Sequence, residues 1–274
     1  MTTENNEAAL PRNLFGLLTD VDGTLTQGGQ LLASTYQALW SLHQSGLKII
    51  PVTGRSAAWG HMLLHHWPVD AVVAESGGVA LWREQAGGQI VLAHEAGLQR
   101  FGIVTRCFGD HEGRKPLIAQ LEALLPRYAP LSWASDQGQR IVDVAIDWNE
   151  QQRGNRAIVA RLSDALRALG FQARTSNVHL NAWAGSFDKA SSSFALIEQV
   201  FGQRRDEAQA GWFFVGDAPN DESMFASFPH HLAVEGPEHF EGQVQHMPQR
   251  FSASKAAAGF EALAQSILRA MRSP

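Results

Sequence analysis

The chain has 274 residues, enough for one large domain or two modest ones, and 45% of them are hydrophobic, an ordinary share for a globular protein with a sizeable core. A net charge of −5 offers no basic face for nucleic acid, and the single cysteine, Cys107, excludes an intrachain disulfide or a thiolate metal cluster. No stretch reaches the roughly 18 uninterrupted apolar residues of a membrane-spanning helix, and the polar segment 1–12 lacks the apolar centre of a signal peptide, so the expected compartment is the reducing cytoplasm, with no membrane partner.

After a polar lead-in closed by Pro11, residues 14–19 form an apolar run, the pattern of a strand buried on both faces. It ends in Asp20-Val21-Asp22-Gly23-Thr24. Apolar positions Leu32, Tyr36, Leu39, Trp40 and Leu42 then fall near helical spacing, and Gly46 ends that helix. A second short buried strand at 47–52 runs into Thr53-Gly54-Arg55-Ser56, which opens a helix through Leu64. A third strand at 70–74 precedes Glu75-Ser76-Gly77-Gly78. Strand and helix therefore alternate through the first eighty residues, the signature of a parallel sheet.

The pattern changes next. Segments 79–83 and 89–93 read as a hairpin across Gly87-Gly88, 115–128 as a helix, 139–148 as a strand with one wet face, and 153–169 as an amphipathic helix stopped by Gly170. Strands return over 171–183. This block reads as α+β with antiparallel pairing, inserted into the first domain. From Ser186 the alternating pattern resumes: a helix at 191–201, a strongly apolar strand at 211–216, a strand at 231–234 and an amphipathic helix at 255–271. The expected class is α/β, a Rossmann-like parallel sheet with an inserted α+β domain. Cys107 reads as a small buried hydrophobe.

Four pieces carry chemistry. Asp20 and Asp22 sit at the mouth of a buried strand, where carboxylates need a partner such as a hard divalent cation. Thr53 and Gly54 lie in a strand-to-helix turn, whose hydroxyl and N–H groups suit a phosphate oxygen. Lys189, just before a helix, suits an anion. Asp217-Ala218-Pro219-Asn220-Asp221 places two carboxylates four residues apart after a buried strand, a set that suits Mg²⁺. Taken singly, each has a plainer reading: a turn, a helix cap, a solvated lysine, an acidic helix start.

Together and in this order, D-V-D-G-T-L-T, T-G-R, the lysine of S-F-D-K-A-S and G-D-A-P-N-D resemble the haloacid dehalogenase-like (HAD) phosphohydrolases. About thirty residues separate Asp22 from Thr53 and about 135 separate Thr53 from Lys189, so the inserted block falls where the Cof-like, or IIB, subgroup carries its C2-type cap. That resemblance implies a core over 1–83 and 184–274 and a cap over 84–183. The subgroup includes phosphatases of sucrose phosphate, trehalose phosphate and mannosyl-phosphoglycerate.

The resemblance further implies an aspartyl-phosphate mechanism. Asp20 is then the nucleophile and Asp22 the general acid/base. The Asp20 carboxylate, the Asp22 backbone carbonyl and Asp217 hold Mg²⁺, with Asp221 as a ligand or its support. Thr53, Gly54, Lys189 and Asn220 cradle the phosphoryl oxygens. The implied partner is a small phosphate ester, sugar-derived, and the protein a monomer or homodimer. A phosphomutase and a non-catalytic binding module are the rival readings.

Cap residues weighed as substrate contacts are Arg106, His111, Arg114, Lys115, Asn177, His179 and Asn181, with His179 and Asn181 sharing one strand face. Trp133, Trp148 and Trp183 read as core rather than sugar-stacking rings, and His61, His65 and His66 as packing and surface residues rather than a metal site. Two departures from the family pattern stand out. Glu75-Ser76-Gly77-Gly78 replaces the frequent E-N-G-A, and Asp217-Ala218-Pro219-Asn220-Asp221 the frequent D-G-x-N-D.

Overall fold

The computed structural model describes residues 10–83, 103–109, 111–151 and 154–272. They divide into two units, one of residues up to Val52 together with those from Ile197 onward, the other Thr53–Leu196.

The first unit is built on a four-stranded parallel sheet in the order His231–Ala233, Trp212–Gly216, Gly16–Thr19, Lys48–Pro51. Gly16–Thr19 lies centrally and Trp212–Gly216 is likewise paired on both sides, and every residue of these two strands is buried. That is why they read as unbroken apolar runs. Helix Ala256–Arg272 buries Phe260, Leu263, Ala264 and Ile267 at three- and four-residue intervals and packs against helix Ala33–Gln44. Ser34 and Thr35 hydroxyls both donate to Glu261 Oε1 at 2.7 Å across that contact. Helix Ala33–Gln44 buries Thr35, Leu39 and Leu42, whereas Leu32 and Trp40, expected inside, face solvent.

The second unit holds two antiparallel sheets. One has the order Ala71–Ala74, Val79–Arg83, Ile103–Cys107, with helix Ala57–His66 against it. Ala71–Ala74, expected to extend the parallel pattern, is here half of an antiparallel hairpin with Val79–Arg83. The expected arm at 89–93 lies outside the described residues. Cys107 ends the last strand of this sheet among the described residues and is exposed rather than buried.

The other sheet has the order Gln172–Thr175, His179–Trp183, Asp143–Asp147, Ser132–Trp133. Helices His111–Leu124 and Arg156–Ala168 cover one face. Leu117, Leu121, Val144, Ile146, Leu162, Leu166 and Leu180 form the core there, with Trp148 in it and Trp133 against its edge, as expected of those rings. Asn155 caps the second helix by accepting the Ala157 N–H at 2.8 Å. The face expected to be wet is not. Asp143, Asp147, His179 and Asn181 are each no more than 2% exposed, because residues 54–56, 75 and 150 pack onto them. Among the described residues no helix is long and apolar enough to cross a membrane.

Candidate functional site

Two neighbouring strands of the first unit deliver its acidic residues to one place. Gly16–Thr19 runs parallel to Trp212–Gly216 with Thr19 opposite Val215, so Asp20 and Asp217 emerge side by side one and two residues later. The Asp20 N–H still donates to Val215 O at 2.9 Å, which holds the strand pairing to that point. The chain after Asp217 turns through Pro219–Asp221, a single 3₁₀ turn, and brings Asp221 back beneath the strand end. There its Oδ2 accepts the backbone N–H groups of Asp217 at 3.1 Å and Ala218 at 3.4 Å.

This return demands a residue without a side chain at Gly216, since a Cβ there would collide with the Asp221 carboxylate and the Phe214 ring. Thr24, fully buried, donates its hydroxyl to Asp217 Oδ1 at 3.0 Å. The bond fixes the rotamer of Asp217, and the only trace of it in the sequence is the T of D-V-D-G-T.

One carboxylate oxygen each from Asp20, Asp217 and Asp221 lies within 4.8 Å of the other two. All three residues are at most 5% exposed. Three buried like charges repel, and a carboxylate removed from water is costly. The donor set, all oxygen and within the span of one coordination shell with bonds of roughly 2.0–2.6 Å, fits a hard divalent cation. The Asp22 carboxylate is not a member of this group. Asn220 lies in the same turn, and its Oδ1 is a buried acceptor with no hydrogen-bond donor among the described residues.

Thr53, Gly54 and Lys189 belong to the second unit. Thr53 is 1% exposed. Its N–H donates to Val73 O at 2.8 Å, its carbonyl accepts Ser76 N–H at 3.2 Å, and its Oγ1 accepts the Arg55 N–H at 3.1 Å. Lys189 opens helix Lys189–Phe201 and is 2% exposed, which overturns the reading of a solvated surface lysine. The 75–78 segment joins these two: Ser76 bonds Thr53, and Gly77 packs against the Asp188–Lys189 backbone, its carbonyl accepting Ser192 Oγ at 2.6 Å.

The N-terminus of helix Ala57–His66 has partners the sequence did not suggest. The Ser56 N–H goes to Asp136 Oδ2 at 3.2 Å and the Ala57 N–H to Glu75 Oε1 at 3.0 Å. Glu75, fully buried with φ of 50°, also accepts N–H groups of Ile141, Val142 and Asp143 at 2.8–3.2 Å. The helix dipole is thus met by protein carboxylates.

Around them runs a buried ionic network. Arg140 donates to both oxygens of Asp136 at 3.0 Å and to Asp143 Oδ1 at 2.8 Å. Burial pulls against the Arg140 charge, but Asp143, Asp136 and Glu75 outweigh it and raise its pKa. Burial pushes the Asp143 carboxyl up to about 7, against the pull of Arg140 and the Asn181 amide. Glu150 is held down at about 2 by its hydrogen bond to His179, helped by Arg55, which meets it at 2.5 Å. His179 and Asn181 are therefore committed inside the protein, and the expectation that they face a substrate gives way. Arg114 is likewise engaged with Asp143 O and Gln137 O. Of the other cap residues singled out, Arg106, His111 and Lys115 are exposed.

Residues 17–107 match the family model for haloacid dehalogenase-like hydrolases. Solved structures share the fold across nearly the whole chain. A Thermoplasma acidophilum protein is 15% identical with a TM-score of 0.67, covering 94% of this chain and 99% of its own. The sucrose-phosphatase of Synechocystis, solved with sucrose and phosphate, is 14% identical with a TM-score of 0.58, covering 94% and 98%. A haloacid dehalogenase-like hydrolase of Bacteroides thetaiotaomicron is 14% identical with a TM-score of 0.59, covering 93% and 100%. No curated protein sequence matches the chain significantly.

Proposed function

We propose, from the match of residues 17–107 to the haloacid dehalogenase-like hydrolase model and from the shared fold, that the chain is a Mg²⁺-dependent phosphatase of that family acting on a small phosphomonoester, a sugar phosphate in the first instance. The observation that carries this reading is the buried convergence of Asp20, Asp217 and Asp221 at two adjacent strand ends. Such a group of acids costs stability unless it serves a cation. The likeness to a sucrose-phosphatase supports the choice of substrate class.

In this reading Asp20 attacks phosphorus through a carboxylate oxygen. The bond to the leaving alkoxide breaks, and Asp22 supplies that alkoxide with a proton. Water then attacks the aspartyl-phosphate while Asp22 takes a proton from it, which releases phosphate and restores Asp20. The Asp20, Asp217 and Asp221 carboxylates and the Asp22 carbonyl would hold Mg²⁺, and the ion, when bound, offsets negative charge on the phosphoryl group. Thr53, the Gly54 N–H, Lys189 and Asn220 bind and orient the phosphoryl oxygens. The α+β block over 84–183 acts as the cap that selects the ester, with Arg106, His111, Lys115 and Asn177 as its candidate contacts. The core comprises 1–83 and 184–274.

The test is a phosphate-release screen across sugar phosphates, phosphoglycerate derivatives and nucleoside monophosphates, with Mg²⁺ present and then chelated. Metal-dependent release that Asp20→Asn abolishes is the expected result. Undiminished release by Asp20→Asn would remove the nucleophile and the mechanism with it. Release that requires an added bisphosphate would point to a mutase.

A further inference from the structure

The Gly54–Arg55 peptide is held on both sides. Its carbonyl oxygen accepts two hydrogen bonds, from Arg140 Nη1 at 3.0 Å and from Asn181 Nδ2 at 3.0 Å, which occupy both lone pairs. Its N–H donates to Thr53 Oγ1 at 3.1 Å. The two donors are themselves locked together, because Asp143 gives one carboxylate oxygen to Arg140 at 2.8 Å and the other to Asn181 at 2.9 Å. Arg140, Asp143 and Asn181 are all nearly or wholly inaccessible to solvent. Gly54 has room for no side chain, since a Cβ would stand 2.9 Å from Asn181 Oδ1.

The chemistry of the turn follows from these bonds. With Oγ1 spending one lone pair on the Arg55 N–H, the Thr53 hydroxyl is oriented to donate its own proton. With the Gly54 carbonyl held, the following N–H cannot swing away from Thr53. Losing either donor would leave the peptide free to rotate and the hydroxyl free to turn.

We infer that Arg140 and Asn181 are positioning residues, which set the Thr53–Arg55 turn in the orientation that binds a phosphoryl group by clamping the Gly54 carbonyl from the α+β block. The inference rests on the proposed phosphatase reading and deepens it. Affinity for the phosphoryl group depends on two residues that lie about 85 and 125 positions downstream of the turn and touch no substrate.

The experiment compares Asn181→Ala, Arg140→Lys and, as a control, Ile146→Val, which lies on the apolar face of the same sheet. The readouts are the inhibition constant of inorganic phosphate, KM and kcat for an aryl phosphate, and the melting temperature. The clamp predicts that the phosphate inhibition constant and KM rise together by about tenfold in Asn181→Ala and Arg140→Lys. Ile146→Val lowers the melting temperature and leaves both constants unchanged.

Folded clamp variants with wild-type phosphate inhibition would overturn the inference. A measurement on the wild-type chain covers the case in which the variants do not fold. Saturating phosphate with Mg²⁺ should slow amide exchange across 53–57 and 136–147 together, and protection confined to 53–57 would overturn the clamp. Wild-type protein that binds phosphate but fails these tests sinks only the clamp. Wild-type protein that neither binds nor releases phosphate sinks the phosphatase reading first.

Discussion

The molecule buries carboxylates in two ways. At the strand ends of the first unit, Asp20, Asp217 and Asp221 bring like charge together within 4.8 Å. In the second unit Asp136, Asp143 and Glu150 alternate with Arg140, Arg55 and His179, and Glu75 sits in a ring of backbone N–H groups. The first arrangement gathers one sign of charge at two strand ends. The second pairs opposite signs and sets shape. Apart from Glu150 these carboxylates are buried, so burial alone does not tell the two arrangements apart; the pattern of signs does.

The sharpest way to break the comparison is to remove one charge from each region. Asp20→Asn should lower phosphate release by at least about a thousandfold, while the melting temperature holds or rises because like-charge repulsion is relieved. In the other region Arg140→Ala should cost about 3–5 kcal/mol of stability, since it strands two buried carboxylates. Denaturant unfolding would show this as a shift of the midpoint. A loss below about 1 kcal/mol would mean the network relaxes freely.

A smaller effect separates the regions by their response to metal. Mg²⁺ at a hundred times its dissociation constant should stabilise the wild type by about 2.7 kcal/mol, and a chelator should reverse that. Asp217→Asn should remove the response, whereas Arg140 variants should keep it.

The smallest expected effect is in acid. Glu150 has a folded pKa of about 2, below its ordinary value of 4.5, because His179 and Arg55 favour the charged form. Its contribution is therefore full above about pH 4.5 and is lost as pH falls toward 2. Thermal melts across that window should show a shallower decline in Glu150→Gln. Buried His231 acts at higher pH. Burial lowers its pKa, and its ring joins Phe228 O to the Gln249 N–H. The neutral form is favoured in the fold, so stability falls as pH drops below about 6.5.

The first unit was largely legible in the sequence because its signals are local. Trp212–Gly216 is an apolar run that ends in an acid, and Asp217 and Asp221 are four residues apart. The second unit was less legible because its decisive contacts are distant. Asn181 reaches Gly54 across 127 positions and Ser56 reaches Asp136 across 80. Alternation along 179–183 correctly put His179 and Asn181 on one face, but it carries no information on whether another segment covers that face. The same limit applies to Trp40, whose helical spacing fitted an inward position and whose ring faces out. Thr24 shows the converse: it lies inside D-V-D-G-T, yet its bond to Asp217, 193 positions away, leaves no local signal.

The bare α-carbon at Gly216 leaves the acidic group open to a quiet kind of damage. One methyl there would displace Asp221 and withdraw the support it gives the loop, though it replaces no acid and changes no charge. An inventory of these acids in a descendant of this chain would find all of them in place and declare the site intact. Activity in such lineages is better judged by the smallest residue of the motif than by its most reactive ones.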